Sequence, residues 1–393
     1  MHTGPQTACW TEGNLTTYEL KLSWASLRLE TDLFLDPLYW RHLPRIYRAL
    51  RQFRPDLVHV TGPGHHGLLG ALAARLLRVP LVASWHTNVH EYGAKRLAQL
   101  LRRFPASLRH PLCSSLEWFG LNLILWFYRR ACLLFAPNPE LVHLLLRKTG
   151  QPTYLMQRGI DTDLFSPFRR ARADDEFVIG YVGRLSSEKD VRSLAELEKR
   201  LLAAGMTRYH FLIVGGGEER GWLETHLRHR EFTGVLRGEP LARAYANMDV
   251  FVFPSKTDTF GNVVLEAMVS GVPPIVSTGG GPKYVIRPGV DGYAEPNMET
   301  CVQSILSLYN NPALRYQMSA NARQRALSFS WDSVFSGVYA RYEEAFSSGA
   351  LDNFGKTRSR FGKIAFDPGA RVKVIEHADR RSRISCSEGG SPS

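Results

Sequence analysis

From about residue 50 onward, short apolar β-rich runs alternate with longer amphipathic stretches, and this alternation constrains the fold more than any other feature. Apolar runs without polar alternation suit strands buried on both faces, which is how parallel sheets sit between helices. A first set of strands is expected at Asp56 to Val60, Pro80 to Ser84, Cys132 to Ala136 and Thr153 to Gln157, with a helix at Pro139 to Lys148. A second set is expected at Phe177 to Val182, His210 to Val214, Val250 to Pro254 and Pro274 to Ser277. Between the sets, Asp161 to Asp175 is rich in Pro, Asp and Arg and reads as a linker.

The fold class that follows is α/β, with two doubly wound, Rossmann-like domains facing each other across a cleft at the carboxyl ends of their strands. The expected division is residues 1–165 for the N-terminal domain and 166–330 for the C-terminal one. Residues 331–350 are expected to form a helix crossing back to the N-terminal domain, and 351–393 a flexible basic tail rich in Gly, Ser and Arg. A domain of this type normally opens with a strand and a Gly-rich turn. No such pair is read before Pro55, and Met1 to Trp40 do not replace it. The N-terminal domain is therefore expected to be incomplete, and the chain less stable and less active than a version extended upstream.

The chain carries a net charge of +12, which suits anionic partners such as a phosphorylated ligand or an acidic membrane face. It has no helix-turn-helix, RNP-type or basic-aromatic pattern, so nucleic acid is not expected as a partner. Its five cysteines are scattered and form no CxxC or Cys/His cluster, which argues against a disulfide framework or a zinc site. No signal peptide is read at the N-terminus, and a cytoplasmic location is expected. The most apolar stretch, Leu116 to Phe127, is too short to span a bilayer, which takes roughly 20 residues. A buried core helix is the favoured reading, and an interfacial helix on the acidic inner leaflet is the alternative.

Two loops carry chemistry. After the strand Phe177 to Val182 come Gly183, Arg184 and Lys189, a close-approach glycine followed by two cations suited to a leaving diphosphate. After Val250 to Pro254, the acidic pair Asp258 and Glu266 stands eight positions apart, one in the loop and one in the following helix. A carboxylate there can accept the hydroxyls of a ribose, while the helix start near Phe260, Gly261 and Asn262 offers N–H groups to phosphate. The run Gly279 to Gly281 also follows a strand, and Gly280 and Gly281 are expected to let backbone approach a ligand. Asp161 and Asp163 form a D-x-D pattern, for which capping or packing between the domains is a better reading than metal binding.

The segment Pro254 to Met268 resembles the E-x7-E motif of the retaining glycosyltransferases of family 4, which have the GT-B fold. With Asp258 as the first carboxylate, it is similar to the subgroup of GDP-mannose-dependent α-mannosyltransferases and sulfoquinovosyl-diacylglycerol synthases. Other segments match in order: Ser84-Trp85-His86-Thr87-Asn88, Arg158-Gly159-Ile160-Asp161-Thr162-Asp163-Leu164-Phe165 and Gly279-Gly280-Gly281-Pro282. The resemblance covers residues 45 to 346. It implies that Arg184 and Lys189 hold the donor diphosphate, that Glu266 takes the ribose hydroxyls, that Asp258 contacts the transferred sugar and that His86 lies beside both sugar and diphosphate. A lone histidine is more often a core residue; the match at Ser84 to Asn88 is what gives His86 a site role.

The activity implied is transfer of a hexosyl group, mannosyl first, from a GDP- or UDP-linked sugar to a lipid or glycan acceptor. Configuration is retained, no metal or other cofactor is needed, and contact with an anionic membrane is an added expectation. Two other readings are a non-catalytic sugar-nucleotide-binding relative and a GT-B-like nucleotide-sugar 2-epimerase. The second needs carboxylates in the N-terminal domain, and none stands out there.

Overall fold

The structure, a computed structural model, describes residues 1–28, 34–88 and 106–347. The basic tail expected at 351–393 lies outside the described residues.

In the N-terminal half, Val58–Val60, Leu81–Ser84, Leu133–Ala136 and Thr153–Leu155 form a four-stranded sheet in sequence order, with every pairing parallel. Its strands fall within the apolar runs read from the sequence. Side chains alternate across the sheet, because successive residues of a strand face opposite ways. Leu81, Ala83 and Trp85 join Leu125, Phe127 and Tyr128 of the helix Ala106–Tyr128 on one face. Val82, Leu133 and Phe135 pack on the other face against Val338, from the helix Trp331–Ser347 at the far end of the chain. One face of the first sheet is thus covered by the last described helix.

The C-terminal half holds six parallel strands in the order Arg230–Gly234, Tyr209–Val214, Phe177–Val182, Val250–Phe253, Pro274–Ser277 and Tyr293–Glu295. This is the 3-2-1-4-5-6 order of a doubly wound sheet, whose direction of winding reverses between the first and fourth strands. The crevice there opens between the loop after Val182 and the loop after Phe253. The two outer strands are not read from the sequence, since Arg-Glu-Phe-Thr-Gly and Tyr-Ala-Glu are half-exposed edges without an apolar run.

Two further findings concern the N-terminus. His2–Gly4, Leu15–Lys21 and Ala8–Glu12 form a small separate sheet, where the sequence suggested no strand. Its Leu20 packs with Tyr39, Ile46, Leu69 and Ala73. Among the described residues no ladder joins this sheet to Val58–Val60, which is the edge of the four-stranded sheet.

The halves are joined by two adjacent crossings. The Ile160 N–H donates to the Phe329 carbonyl at 2.8 Å, and Ile160 bridges Ser330. The stretch read as a linker is fastened to the C-terminal half. Arg170 donates to the carbonyls of Ala246 and Met248, and both Arg170 and Arg172 pair with Asp249.

Candidate active site

Strands ending at a reversal of winding leave their following loops facing one crevice, and those loops bring the expected residues together. His86, Gly183, Arg184, Lys189, Asp258, Phe260, Gly261 and Asn262 line one cavity of about 310 Å³, together with Arg158 and Thr259. His86 and Arg158 come from the N-terminal half and the crossing, and the others from the C-terminal half.

Lys189 is buried, and its Nζ donates to both oxygens of Asp258 at 2.7 and 2.8 Å. An ammonium has three N–H groups, so one remains for another acceptor. Arg184 stands 3.6 Å from Glu188. Arg158 has no carboxylate partner among the described residues, and burial lowers its pKa. It is the cavity cation whose charge is least compensated. Arg158 opens one of the family-like segments but takes no role from the sequence, because nothing local to Arg-Gly-Ile-Asp shows that it faces a loop a hundred residues away.

The helix Asn262–Val269 starts at this cavity. Gly261 caps it with φ at 93°, a left-handed conformation that glycine adopts without strain. The first N–H groups of a helix have no partner within the helix and carry partial positive charge. Beneath this turn the Gly281 N–H donates to the Asp258 carbonyl at 2.7 Å. A Cβ on Gly281 would stand 1.9 Å from the Thr259 carbonyl oxygen. A Cβ on Gly280 would stand 2.8 Å from the Asp258 carbonyl oxygen and 2.9 Å from that of Lys256. The close approach these glycines make in the structure is to the acidic loop itself, and neither lines the cavity.

Glu266 also lies off the cavity lining. It is half-buried, further along the helix, and accepts the hydroxyl of the buried Tyr245 at 2.7 Å. The Glu266 charge and burial together push the Tyr245 phenol to a higher pKa, with burial the larger cause.

His86 follows the strand Leu81–Ser84. Its Nε2 lies 2.8 Å from Ser84 Oγ, and its Nδ1 is buried with no hydrogen-bond partner among the described residues. Burial, helped by the positive charge of Arg158, lowers its pKa to about 3, so the ring is neutral at pH 7. Its main-chain carbonyl accepts the Thr259 hydroxyl at 2.7 Å. Asp161 accepts the N–H groups of Asp163 and Leu164 at 3.0 and 2.8 Å, which is the capping role.

A cleft of this composition, between two facing α/β halves, agrees with what comparison shows. The family models described as "Glycosyltransferase Family 4" and "Glycosyl transferases group 1" match residues 31–164 and 164–325. A GDP-mannose-dependent alpha-mannosyltransferase of Mycobacterium tuberculosis is 33% identical over 311 residues, covering 76% of this chain and 75% of that protein. The chain belongs to the family 4, group 1 glycosyltransferases. A sulfoquinovosyl transferase of Arabidopsis thaliana is 29% identical over 316 residues, 75% of this glycosyltransferase and 58% of that protein. Among solved structures, a sucrose-phosphate synthase from Thermosynechococcus elongatus superposes with a TM-score of 0.60 at 20% identity, covering 84% and 89% of the two chains. The Anabaena protein HepE, solved with UDP and glucose, gives 0.58 at 17% identity over 84% and 86%. These likenesses give the glycosyltransferase the GT-B fold.

Away from the cleft, the expectation of a buried helix at Leu116 to Phe127 is corrected. Ile124, Leu125 and Phe127 are buried, but Trp118 is 68% exposed, Phe119 61% and Trp126 52%, with Leu116 and Leu123 also exposed. An apolar run does not distinguish a helix buried all round from one with an apolar outer face. The Arg130 guanidinium stacks on the outer Trp126 ring at 3.2 Å. No described helix is long and apolar enough to cross a membrane.

Proposed function

We propose that this glycosyltransferase moves a mannosyl group from GDP-mannose to a lipid or glycan acceptor, with retention of configuration and without a metal. The observation that carries this reading is the convergence of Arg158, Arg184, Lys189 and the start of the helix Asn262–Val269 on one cavity. Positive groups fixed before reaction stabilise the charge that builds on a departing diphosphate, and one such donor is worth about 2.7 to 4 kcal/mol. In this reading Arg158, Arg184 and the free Lys189 N–H hold the diphosphate. Asp258 contacts the transferred sugar, His86 lies beside sugar and diphosphate, and Glu266 takes the ribose hydroxyls. The C1–O bond to the diphosphate breaks as the acceptor oxygen bonds C1 on the same face, and the acceptor proton passes to a diphosphate oxygen. Mannosyl and GDP are preferred because the 33% identical relatives are GDP-mannose-dependent.

The exposed Trp118, Phe119 and Trp126, with Arg129 and Arg130 beside them, support peripheral contact with an anionic membrane on its cytoplasmic side. A lipid acceptor would be met there.

The test is a panel of GDP-, UDP- and ADP-sugars screened by thermal shift. A donor at 100 times its dissociation constant adds about 2.7 kcal/mol. The best donor is then offered with lipid and glycan acceptors, and the anomeric configuration of the product is read by NMR. Stabilisation by no nucleotide sugar would defeat the proposal, and an inverted product would defeat its mechanism.

A further inference from the structure

Behind His86 runs a line of hydrogen-bonding groups that ends in the last described helix. His86 Nε2 lies 2.8 Å from Ser84 Oγ, and Ser84 Oγ lies 3.0 Å from His59 Nε2. His59 Nδ1 in turn is hydrogen-bonded to the Tyr342 hydroxyl. Ser84 is wholly buried, and His59 stacks on Phe135 at 5.8 Å while meeting Tyr342 edge-on.

The order of donors along this line is set by counting protons. Both imidazoles are neutral, since burial brings the pKa of His59 to about 4 and that of His86 to about 3. A neutral imidazole has one donor and one acceptor nitrogen, and a serine hydroxyl has one proton. Only two arrangements therefore satisfy all three links. If Tyr342 donates to His59 Nδ1, His59 must donate from Nε2 to Ser84, and Ser84 to His86 Nε2. The remaining proton of His86 then sits on Nδ1. In the reverse arrangement every donor turns round, the Tyr342 proton loses its place in the line, and His86 Nδ1 is a bare acceptor. Burial keeps the Tyr342 phenol protonated. Among the described residues, its proton has a partner only in the first arrangement.

We propose that Tyr342, through His59 and Ser84, fixes His86 as the tautomer with its proton on Nδ1, so that His86 serves the cavity as a hydrogen-bond donor. Nδ1 is the ring atom that is buried without a hydrogen-bond partner among the described residues, and His86 lines the cavity. What such a donor fits is an oxygen of the bound substrate, either a sugar hydroxyl or a phosphoryl oxygen. Tyr342, His59 and Ser84 are positioning residues, and Tyr342 acts on the cleft from a helix 283 positions from His59 in sequence. The use made of the donor rests on the function proposed above, whereas the tautomer itself does not.

The experiment is 15N NMR of the histidine-labelled protein without substrate, with His86 assigned by its loss in His86→Asn. The wild type is expected to carry the His86 proton on Nδ1 and the His59 proton on Nε2. Tyr342→Phe and Ser84→Ala are each expected to shift His86 toward the Nε2-protonated form. With the best nucleotide sugar, kcat should fall by up to about tenfold, the reach of one hydrogen bond. Two variants are used so that loss of the fold in one leaves the other to decide. A wild-type His86 protonated on Nε2, or a tautomer unmoved in a folded variant, overturns the proposal. A shifted tautomer with unchanged turnover upholds the relay and overturns the substrate contact given to His86.

Discussion

The hydroxyl of Thr259 donates to the main-chain carbonyl of His86 at 2.7 Å, a direct bond between the acidic loop of one half and the histidine segment of the other. Asn138 reinforces it by donating from its side-chain nitrogen to the Thr259 carbonyl at 2.7 Å, while its Oδ1 caps the helix Pro139–Thr149 through the Leu141 N–H. Thr259→Val keeps the shape and removes the first bond. A neutral hydrogen bond contributes about 0.5 to 1.5 kcal/mol, so donor affinity measured by calorimetry should fall by up to about tenfold with little change in melting temperature. Unchanged affinity would mean that the loop is held without this bond.

Lys189 and Asp258 are mostly buried as a pair. Lys189→Met leaves the carboxylate unpartnered in the cavity, where it also repels a diphosphate. Breaking a buried pair costs about 3 to 5 kcal/mol, so chemical denaturation should show a clear loss of stability. Turnover should drop about a hundredfold or more. Adding Asp258→Asn should recover much of the stability and none of the turnover. Recovered turnover would remove Lys189 from the diphosphate site.

Turnover should survive EDTA, since Arg158, Arg184 and Lys189 supply positive charge at the cavity. Activity lost on chelation and restored by Mn²⁺ would reopen a metal role for Asp161 and Asp163.

Stability should depend on pH through His59 and His86. Their pKa values are lowered by burial from 6.5 to about 4 and about 3. Below pH 6.5 the unfolded chain takes up protons that the folded chain refuses. The contribution is therefore fully present above pH 6.5 and is lost as pH falls toward 4 for His59 and toward 3 for His86. Each ring accounts for up to about 2 kcal/mol between pH 6.5 and 5. Urea unfolding at pH 7.5 and 5 should show the decline, and His59→Asn should flatten it.

Trp118→Ser combined with Phe119→Ser removes apolar area from an outer face, so it should weaken flotation with anionic vesicles and leave the melting temperature intact. Binding to anionic vesicles should also fall with salt. Equal binding to neutral and anionic vesicles would remove the electrostatic part of the membrane proposal.

What the sequence made legible was whatever repeats locally. Phe177–Val182 and Val250–Phe253 are apolar on both faces and cannot be mistaken for exposed strands. Lys189 was readable as a cation in the loop after one apolar strand, and Asp258 and the turn at Gly261 as the loop and helix start after another. Arg158, Thr259 and His59 were missed as site residues for one shared reason: each matters through a group far along the chain, and sequence spacing carries no signal of that. Ser84 stood two positions from His86, but nothing local shows that its hydroxyl joins His86 to His59. The small N-terminal sheet was missed because Ala8–Glu12 and Leu15–Lys21 mix polar and apolar residues on largely half-exposed strands. The face-dependent exposure of Trp118 and Trp126 was hidden in a run that is apolar at almost every position.

The helix Trp331–Ser347 lies on Val82, Leu133 and Phe135, which sets an order of events during synthesis. A ribosome that has finished Ser347 has already made every strand of both sheets. Until that helix emerges, the four-stranded sheet has one apolar face bare while the whole C-terminal half is being translated. At roughly 5 to 20 residues per second, the interval from Leu155 to Ser347 lasts on the order of ten to forty seconds. The nascent N-terminal half therefore exposes apolar surface of the kind that holding chaperones cover, and a ribosome stalled before Trp331 would release a chain whose C-terminal core is complete and whose N-terminal sheet still has one bare face.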